Sequence, residues 1–336
     1  MTDLLCQISA DERAALVEKR MPGWTEPMLA TLTDERFSSA EWIFERKLDG
    51  ERCLAFKSRN RVALFSRNRT RLNATYPELV DALKSQAPAR CIADGEIVAF
   101  DGNLTSFARL QKRMGVDDPD KARKIGVAVY LYLFDLLYLD GYDTTGLRLR
   151  TRKRLLRRAF DFDDPLRFTA HRNVEGQSFY KDACRRGWEG IIAKRADSAY
   201  VHSRSRDWLK FKCVKEQELV IAGYTDPQGS RKGFGALLLG YYDAGELRYA
   251  GKVGTGFDDA TLESIGAALE RRAESTCPFA DAPAARRGVH WVRPDLVAEI
   301  GFTEWTKDGR LRHPRFLGLR DDKQAGDVVR ERPARR

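Results

Sequence analysis

The 336 residues carry 43% apolar and 10% aromatic side chains, enough for more than one hydrophobic core and too much for wholesale disorder. The formal charge is +10 with 32% of residues charged, so the surface holds both signs with a basic surplus and polyanions fit it as partners. The longest apolar run, residues 127–134, is far shorter than the roughly 20 residues that cross a bilayer, and no signal-peptide core follows Asp3. A soluble, intracellular protein with no membrane role is expected. Six cysteines without a C-x-x-C pair and four histidines without ligand spacing argue against zinc and against a disulfide framework.

Residues 1–35 read as a leader: Ser9 followed by Glu12 is a capping box, predicting a short amphipathic helix to about Arg20 that Pro22-Gly23 ends. From 36 to 215, short β-rich runs mix with helices. Strands are expected over 42–47, 53–56, 62–65, 91–100 and 127–134, and helices over 76–83, 107–114, 151–160 and 176–186. The strands come as hairpins interrupted by helices, without strict βαβ alternation, which predicts an antiparallel α+β domain and not a doubly wound parallel sheet. Past residue 216 the texture changes. Strands over 219–224, 236–242, 247–253 and 296–302 with one helix over 259–272 suit a small β-barrel spanning 216–329, and 330–336 is expected to be a solvated basic tail.

Lys47-Leu48-Asp49-Gly50-Glu51-Arg52 follows a predicted strand in which Glu45 and Lys47 share a face, with Asp49-Gly50 a turn directly after. An ammonium is no nucleophile: at an ordinary pKa of about 10.4, roughly one lysine in a thousand is neutral near pH 7.4, so neighbouring cations must lower it. Taken alone the motif is a solvated lysine before a hairpin turn. Downstream, Asp94-Gly95-Glu96 sets two carboxylates on one strand face, suited to a ribose hydroxyl or a divalent cation. Glu189 precedes the apolar run Gly190-Ile191-Ile192-Ala193-Lys194, and Trp208-Leu209-Lys210-Phe211-Lys212 puts Lys210 and Lys212 on one side of a strand. Two inward ammonium groups ask for a phosphate between them. Two further features read blandly. Gly251-x-x-Gly254-x-Gly256 lies between predicted strands and lacks the Gly-Lys-Ser/Thr ending of a phosphate loop, so a bulge or hairpin turn is expected; Asp117-Asp118-Pro119-Asp120 reads as a solvated loop.

In this order the motifs resemble those of the nucleotidyltransferase superfamily of ATP-dependent DNA ligases, RNA ligases and mRNA capping enzymes, over about residues 24–323. Lys47 to Arg52 is similar to motif I, Asp94-Gly95-Glu96 to motif III, Phe134-Asp135 to motif IIIa, Glu189 to Lys194 to motif IV, Trp208 to Lys212 to motif V, and Arg315 to Lys323 to motif VI. Glu26-Pro27-Met28-Leu29-Ala30, Glu45-Arg46-Lys47-Leu48-Asp49-Gly50, Ser66-Arg67-Asn68 and the stretch from Gly233-Phe234-Gly235 to Gly256 resemble the ligase domain of bacterial ligase D, the enzyme of non-homologous end joining. Members of that group often add polymerase and phosphoesterase domains, for which this length has no room. A stand-alone core or an excised domain is therefore expected.

The resemblance implies an adenylation domain over 36–215 followed by an OB-fold over 216–329. It implies that Lys47 attacks the α-phosphate of ATP, that AMP passes to a DNA 5′-phosphate, and that a 3′-hydroxyl displaces it. By the same resemblance Glu45 takes the adenine amine and Phe134 stacks on the base, although Phe134 by itself reads as core. Arg52 and Arg67 grip the nucleotide or the DNA 5′-phosphate, Lys194 belongs to the nucleotide pocket, and Glu96 and Glu189 contact ribose and Mg²⁺ or Mn²⁺. Lys210 and Lys212 neutralise the α-phosphate and depress the pKa of Lys47. Arg320 and Lys323 orient the pyrophosphate from an OB-fold that closes and reopens about a hinge near 212–218. Implied partners are duplex DNA with a nick or broken end and a Ku-type end-binding protein, for a monomer in the bacterial cytoplasm, associated with the nucleoid. RNA ligation or capping stays open as an alternative, as does a non-catalytic basic DNA-binding module; nick, cohesive end or blunt end is undecided by these residues.

Overall fold

The computed structural model describes residues 3–227, 229, 232–281 and 288–333, so the last three residues of the expected basic tail lie outside it. The chain divides into two compact units, with the division between Cys213 and Val214 and the second unit ending at Glu331. Among the described residues no helix is long and apolar enough to cross a membrane.

The first unit opens with α1 (Asp3–Cys6) and α2 (Ala10–Ala14), the latter capped by Ser9, which accepts from the Glu12 N–H at 3.3 Å. The leader helix ends at Ala14 and not near Arg20. Val17–Glu18 (β1) leaves it to pair with residues Tyr142–Asp143, and the Lys19 N–H finds the Gly141 carbonyl at 2.9 Å. There follow β2 (Leu29–Leu32), β3 (Ser39–Lys47), β4 (Glu51–Ser58), β5 (Arg61–Phe65) and α3 (Pro77–Lys84). Next come β6 (Arg90–Asp101), β7 (Leu104–Thr105), α4 (Phe107–Gln111) and α5 (Pro119–Lys124). A loop was expected at α5; it is helical because Asp118 accepts from the N–H groups of Asp120 and Lys121 and Pro119 sits in the first turn. The unit closes with β8 (Val129–Leu139), β9 (Tyr142–Asp143), α6 (Leu149–Ala159), β10 (Leu166–Phe168), β11 (His171–Val174), α7 (Gly176–Arg185), β12 (Gly190–Arg195) and β13 (Arg204–Lys212).

These strands make two sheets, ordered β1-β9-β8-β6-β4-β5 and β11-β3-β12-β13-β2, antiparallel except where β10 joins β8 and β2 joins β13. Alternation sorts the side chains of the second sheet. Trp42 and Phe44 of β3, Ile191 and Ala193 of β12, and Leu209 and Phe211 of β13 share one core with Phe179 and Ala183 of α7. The intervening residues, the lysines among them, face the other way. Cys184 and Cys213 are disulfide-bonded. Cysteine spacing gave no hint of this pair; packing of α7 on β12, whose neighbour β13 ends at Lys212, brings the two together.

The second unit contains β14 (Lys215–Thr225), β15 (Leu237–Asp243), β16 (Glu246–Val253), α8 (Asp259–Glu270), β17 (Ala273–Glu274), β18 (Val289–Phe302), β19 (Glu304–Trp305), β20 (Leu311–Arg312) and β21 (Arg315–Leu319). Its main sheet runs β16-β15-β14-β18-β17 with β21 added to β18, curled around one apolar core as an OB-fold. β18 starts seven residues earlier than expected and carries Pro294 where the ladder with β14 is interrupted, a place where a strand tolerates a residue without an N–H. Gly251 lies in a bulge opposite Leu239, while Gly254 and Gly256 lead from β16 into α8, a strand-to-helix connection where none was expected. That loop is packed, not open: Gly256 has φ +95°, a Cβ on it would overlap the Phe316 carbonyl, and Asp258 already caps α8.

Candidate active site

Register alone assembles the site. Lys47 pairs with Gly190 and Gly190 with Lys212; one step along, Glu45 pairs with Ile192 and Ile192 with Lys210; the next row is Ile43, Lys194 and Trp208. Paired residues point to the same face of a sheet, so three strands present Lys47, Lys210, Lys212, Glu45 and Lys194 together. Gly190 sits between Lys47 and Lys212. It has φ +152°, and a Cβ there would run into the Phe211 carbonyl, so the close packing of β12 on β13 requires a glycine at this position.

Glu189, one residue before β12, is ion-paired with Lys47; both side chains are mostly buried. The turn after β3 is held by Asp49, which accepts from the Phe107 N–H at 3.1 Å, and by Gly50, whose missing Cβ lets the turn lie on the Ile97 carbonyl. Lys47 is thereby fixed at a strand end and not on a mobile loop.

Glu45 is held by two lysines. Its carboxylate is 2% exposed and binds Lys153 of α6 through one oxygen and Lys194 at 2.7 Å through the other. Burial pushes Glu45 up, and the two lysines outweigh it to leave its pKa lowered; burial also lowers Lys194, against the pull of Glu45. Lys194 lies 4.1 Å from the ring centre of Phe134 and 4.0 Å from that of Trp208. Phe134 and Trp208 meet edge to face at 5.9 Å, so Phe134 is a nearly buried wall as well as a motif residue.

On the other sheet Arg52 of β4 stands opposite Glu96 of β6. Its guanidinium grips fully buried Asp94 through two bonds of 2.5 and 2.6 Å, donates to the Met28 carbonyl at 3.0 Å and lies 4.9 Å from the Phe134 ring. Burial works against this charge and Asp94 more than compensates, holding Arg52 above the usual range. Tyr200 adds a hydrogen bond to Asp94 at 2.7 Å. Asp135 is likewise held by two bonds from Arg152 of α6, at 2.7 and 3.0 Å. Arg67 follows β5 in a turn closed by the Ser66 N–H to Thr70 carbonyl bond of 2.9 Å. Glu96 is half-buried and Glu189 mostly buried; among the described residues no three His, Cys, Asp or Glu side chains form a metal cage. Mg²⁺ is ordinarily held by one or two carboxylates with phosphates and water completing its shell, which these two residues suit.

In the second unit Arg320 is bound by Asp322 at 2.8 Å and Glu299 at 3.1 Å, and Lys323 by Glu218 at 3.0 Å. Burial disfavours the Arg320 charge and Asp322 overcomes it, while Asp321 is raised by burial beside Asp322. Arg315 is exposed on β21.

Sequence reasoning missed Arg152, Lys153 and Tyr200. A signal for the first two was there: Leu149, Arg152, Lys153 and Leu156 fall at i, i+3, i+4 and i+7, so two cations share the apolar face of a helix. A cation on such a face predicts a buried carboxylate to meet it.

Two sheets, one of them presenting a lysine cluster, followed by a separate curled β unit, define the adenylation-plus-OB-fold class. The chain belongs to the ATP-dependent DNA ligase family: residues 27–212 match the model of the ATP dependent DNA ligase domain and residues 230–323 that of the ATP dependent DNA ligase C terminal region. It is 40% identical over 322 residues to the multifunctional non-homologous end joining protein LigD of Pseudomonas aeruginosa, covering 94% of this chain and 37% of that protein. Against the LigD protein of Mycobacterium tuberculosis the identity is 38%, covering 91% of this chain and 40% of the relative. The chain thus spans about two fifths of the length of these curated relatives. A solved structure of mycobacterial DNA ligase D complexed with ATP and MES is similar at a TM-score of 0.65 and 34% identity, covering 91% of this chain and 98% of that one.

Proposed function

We propose that this chain seals nicks or breaks in duplex DNA with ATP, through lysyl-adenylate and DNA-adenylate intermediates, as part of end-joining repair. The observation that carries the reading is the row Lys47-Gly190-Lys212 with Lys210 one row behind and Glu189 on the Lys47 ammonium. Phosphoryl transfer asks chiefly for positioning and charge neutralisation, and this face supplies both. Lys210 and Lys212 would disfavour the charged form of Lys47, and Glu189, ion-paired with it, would take its proton. The freed amine bonds to the α-phosphorus while the bond to the bridging oxygen breaks and pyrophosphate leaves. Phe134 walls the base, and Glu96 and Glu189 would hold a divalent cation, which supplies neutralisation of phosphate charge. Arg52, locked by Asp94, presents a fixed cation; Arg67 meets the nucleotide or the DNA 5′-phosphate, and Lys194 lines the base pocket. Arg320 and Lys323 are assigned to the leaving pyrophosphate, which would have to win them from their present carboxylates. Domain limits near 36–215 and 216–329, a Ku-type partner, a monomeric state and a place in the bacterial cytoplasm at the nucleoid go with this reading.

Incubation with α-labelled ATP and Mg²⁺ or Mn²⁺ tests it. A covalent label on the wild type that Lys47→Ala abolishes supports the reading, and transfer to nicked DNA in preference to nicked RNA fixes the substrate. A folded, AMP-free wild type that stays unlabelled refutes it.

A further inference from the structure

Four hydrogen bonds close a ring beside Arg52. Arg52 Nη2 donates to Asp94 Oδ2 at 2.6 Å, and the Tyr200 hydroxyl donates to the same oxygen at 2.7 Å. The Met28 N–H donates to the Tyr200 hydroxyl at 2.8 Å, and the Met28 carbonyl accepts from Arg52 Nη2 at 3.0 Å. Asp94, Met28 and Tyr200 are all buried. Burial, then the charge of Asp94, push the Tyr200 phenol well above its ordinary pKa, so the hydroxyl keeps its proton and donates.

The ring joins pieces of chain that belong to different sheets. Arg52 and Asp94 lie in β4 and β6 of one sheet, while Met28 immediately precedes β2 and Tyr200 precedes β13 at the edge of the other. The latter two segments are held side by side: the Leu29 N–H donates to the Ser203 carbonyl at 3.1 Å, and His202 Nδ1 lies 2.9 Å from the Glu26 carbonyl. The Tyr200 ring meets Trp208 edge to face at 5.8 Å, and its backbone N–H donates to the Thr145 carbonyl at 2.9 Å, so packing sets the hydroxyl in place. Two bonds from one guanidinium fix a carboxylate relative to that guanidinium, but the pair can still turn together about the Asp94 side-chain bonds. Among the described residues the Asp94 carboxylate accepts from Arg52 and Tyr200 alone, so the phenol is what stops the turn. Nε and Nη2 of Arg52 are both used in holding Asp94 and Met28, which leaves the Nη1 edge for a ligand.

We propose that Tyr200, which lies outside every motif, is a positioning residue for the ligation chemistry: by holding Asp94 and Met28 it fixes the plane of the Arg52 guanidinium, and with it the placement of the charge that Arg52 presents to phosphate. This deepens the function proposed above and rests on it. In Tyr200→Phe the aromatic ring keeps its packing and Asp94 keeps the Arg52 charge in place; only the orientation is released. Attraction of a bound phosphate to that charge changes slowly with position, whereas the transition state depends on a fixed geometry.

The test measures two steps over a range of substrate concentration: labelling of Lys47 by α-labelled ATP with Mg²⁺, and sealing of a pre-adenylated DNA nick. Wild type, Tyr200→Phe, Arg52→Lys and the double variant are compared well below their Tm. Arg52→Lys keeps a cation for Asp94 but loses the planar fork, so the step it slows is the step Arg52 serves. Tyr200→Phe should lower the saturating rate of that same step about tenfold, with the half-saturating substrate concentration moved by roughly threefold at most. In the Arg52→Lys background the same change should cost less than about twofold, because the hydroxyl acts through the guanidinium. A hydroxyl that only supports the fold would lower Tm and leave the saturating rates alone, or slow both steps alike with the two losses multiplying in the double variant. Either of those results overturns the proposal, as does an Arg52→Lys variant that slows neither step. Should Tyr200→Phe fail to fold, para-fluorophenylalanine at position 200, which fills the space of the hydroxyl without its proton, takes its place in the same comparison. No labelling of the wild type by ATP would sink the ligase reading and the positioning role with it, a different result from a labelled wild type that is indifferent to the Tyr200 hydroxyl.

Discussion

Glu45 is the hinge of a buried triad, and its neutralisation should cost more than the loss of either lysine. Glu45, Lys153 and Lys194 are each 2% exposed and together carry one net positive charge. Lys153→Met leaves a neutral Glu45–Lys194 pair and one Thr169 carbonyl without its donor, a loss of about 1–3 kcal/mol. Glu45→Gln leaves two buried ammonium groups without the carboxylate that both bind, and breaking a buried pair in this way costs about 3–5 kcal/mol. For a domain of about 200 residues that lowers Tm by roughly 6–20 °C. The pH dependence carries the sharper signature. In the wild type Glu45 is lowered, so its contribution is present above the unfolded carboxylate pKa and lost as pH falls through the folded one. In Glu45→Gln the pull that Glu45 exerts on Lys194 is gone and burial and Lys153 lower Lys194 further, so the folded state binds fewer protons than the unfolded chain. The variant should therefore regain stability relative to wild type as pH rises from 7 toward the unfolded lysine pKa of about 10.4. Urea denaturation of wild type, Lys153→Met and Glu45→Gln at several pH values between 7 and 10 is the assay. A Glu45→Gln variant no less stable than Lys153→Met, or a deficit constant across that range, would refute the reasoning.

Gly190→Ala should destabilise the first unit and impair labelling of Lys47 together, since a Cβ meets the Phe211 carbonyl and pushes apart the strands bearing Lys47 and Lys212; calorimetry alongside the labelling assay checks this. Arg52→Gln strips fully buried Asp94 of its cation and leaves it the Tyr200 hydroxyl, for a loss of about 3–5 kcal/mol, which denaturant unfolding will read. Lys323→Ala should slow self-adenylation more than sealing of pre-adenylated DNA; equal losses in the two steps would remove Lys323 from the pyrophosphate step.

Much of the local structure was legible because it is dictated locally. Period-two alternation exposed β3, β6 and β13 and put Glu45 with Lys47 and Lys210 with Lys212, and turn residues marked Asp49-Gly50. Alternation tells which residues share a face but not which strand lies beside which, so the row Lys47-Gly190-Lys212, which joins β3 to two strands more than 140 residues further along the chain, is a product of sheet order. Where local signals misled, a partner distant in the chain had overruled them: β1 cut the leader helix short by pairing with β9, and α7 carried Cys184 to Cys213. The same holds for charge. The residue types at Glu45, Arg52 and Arg320 were written in the motifs, and their freedom was not. Burial makes an ion pair compulsory, and only the folded chain decides that Lys153, Asp94 and Asp322 supply it.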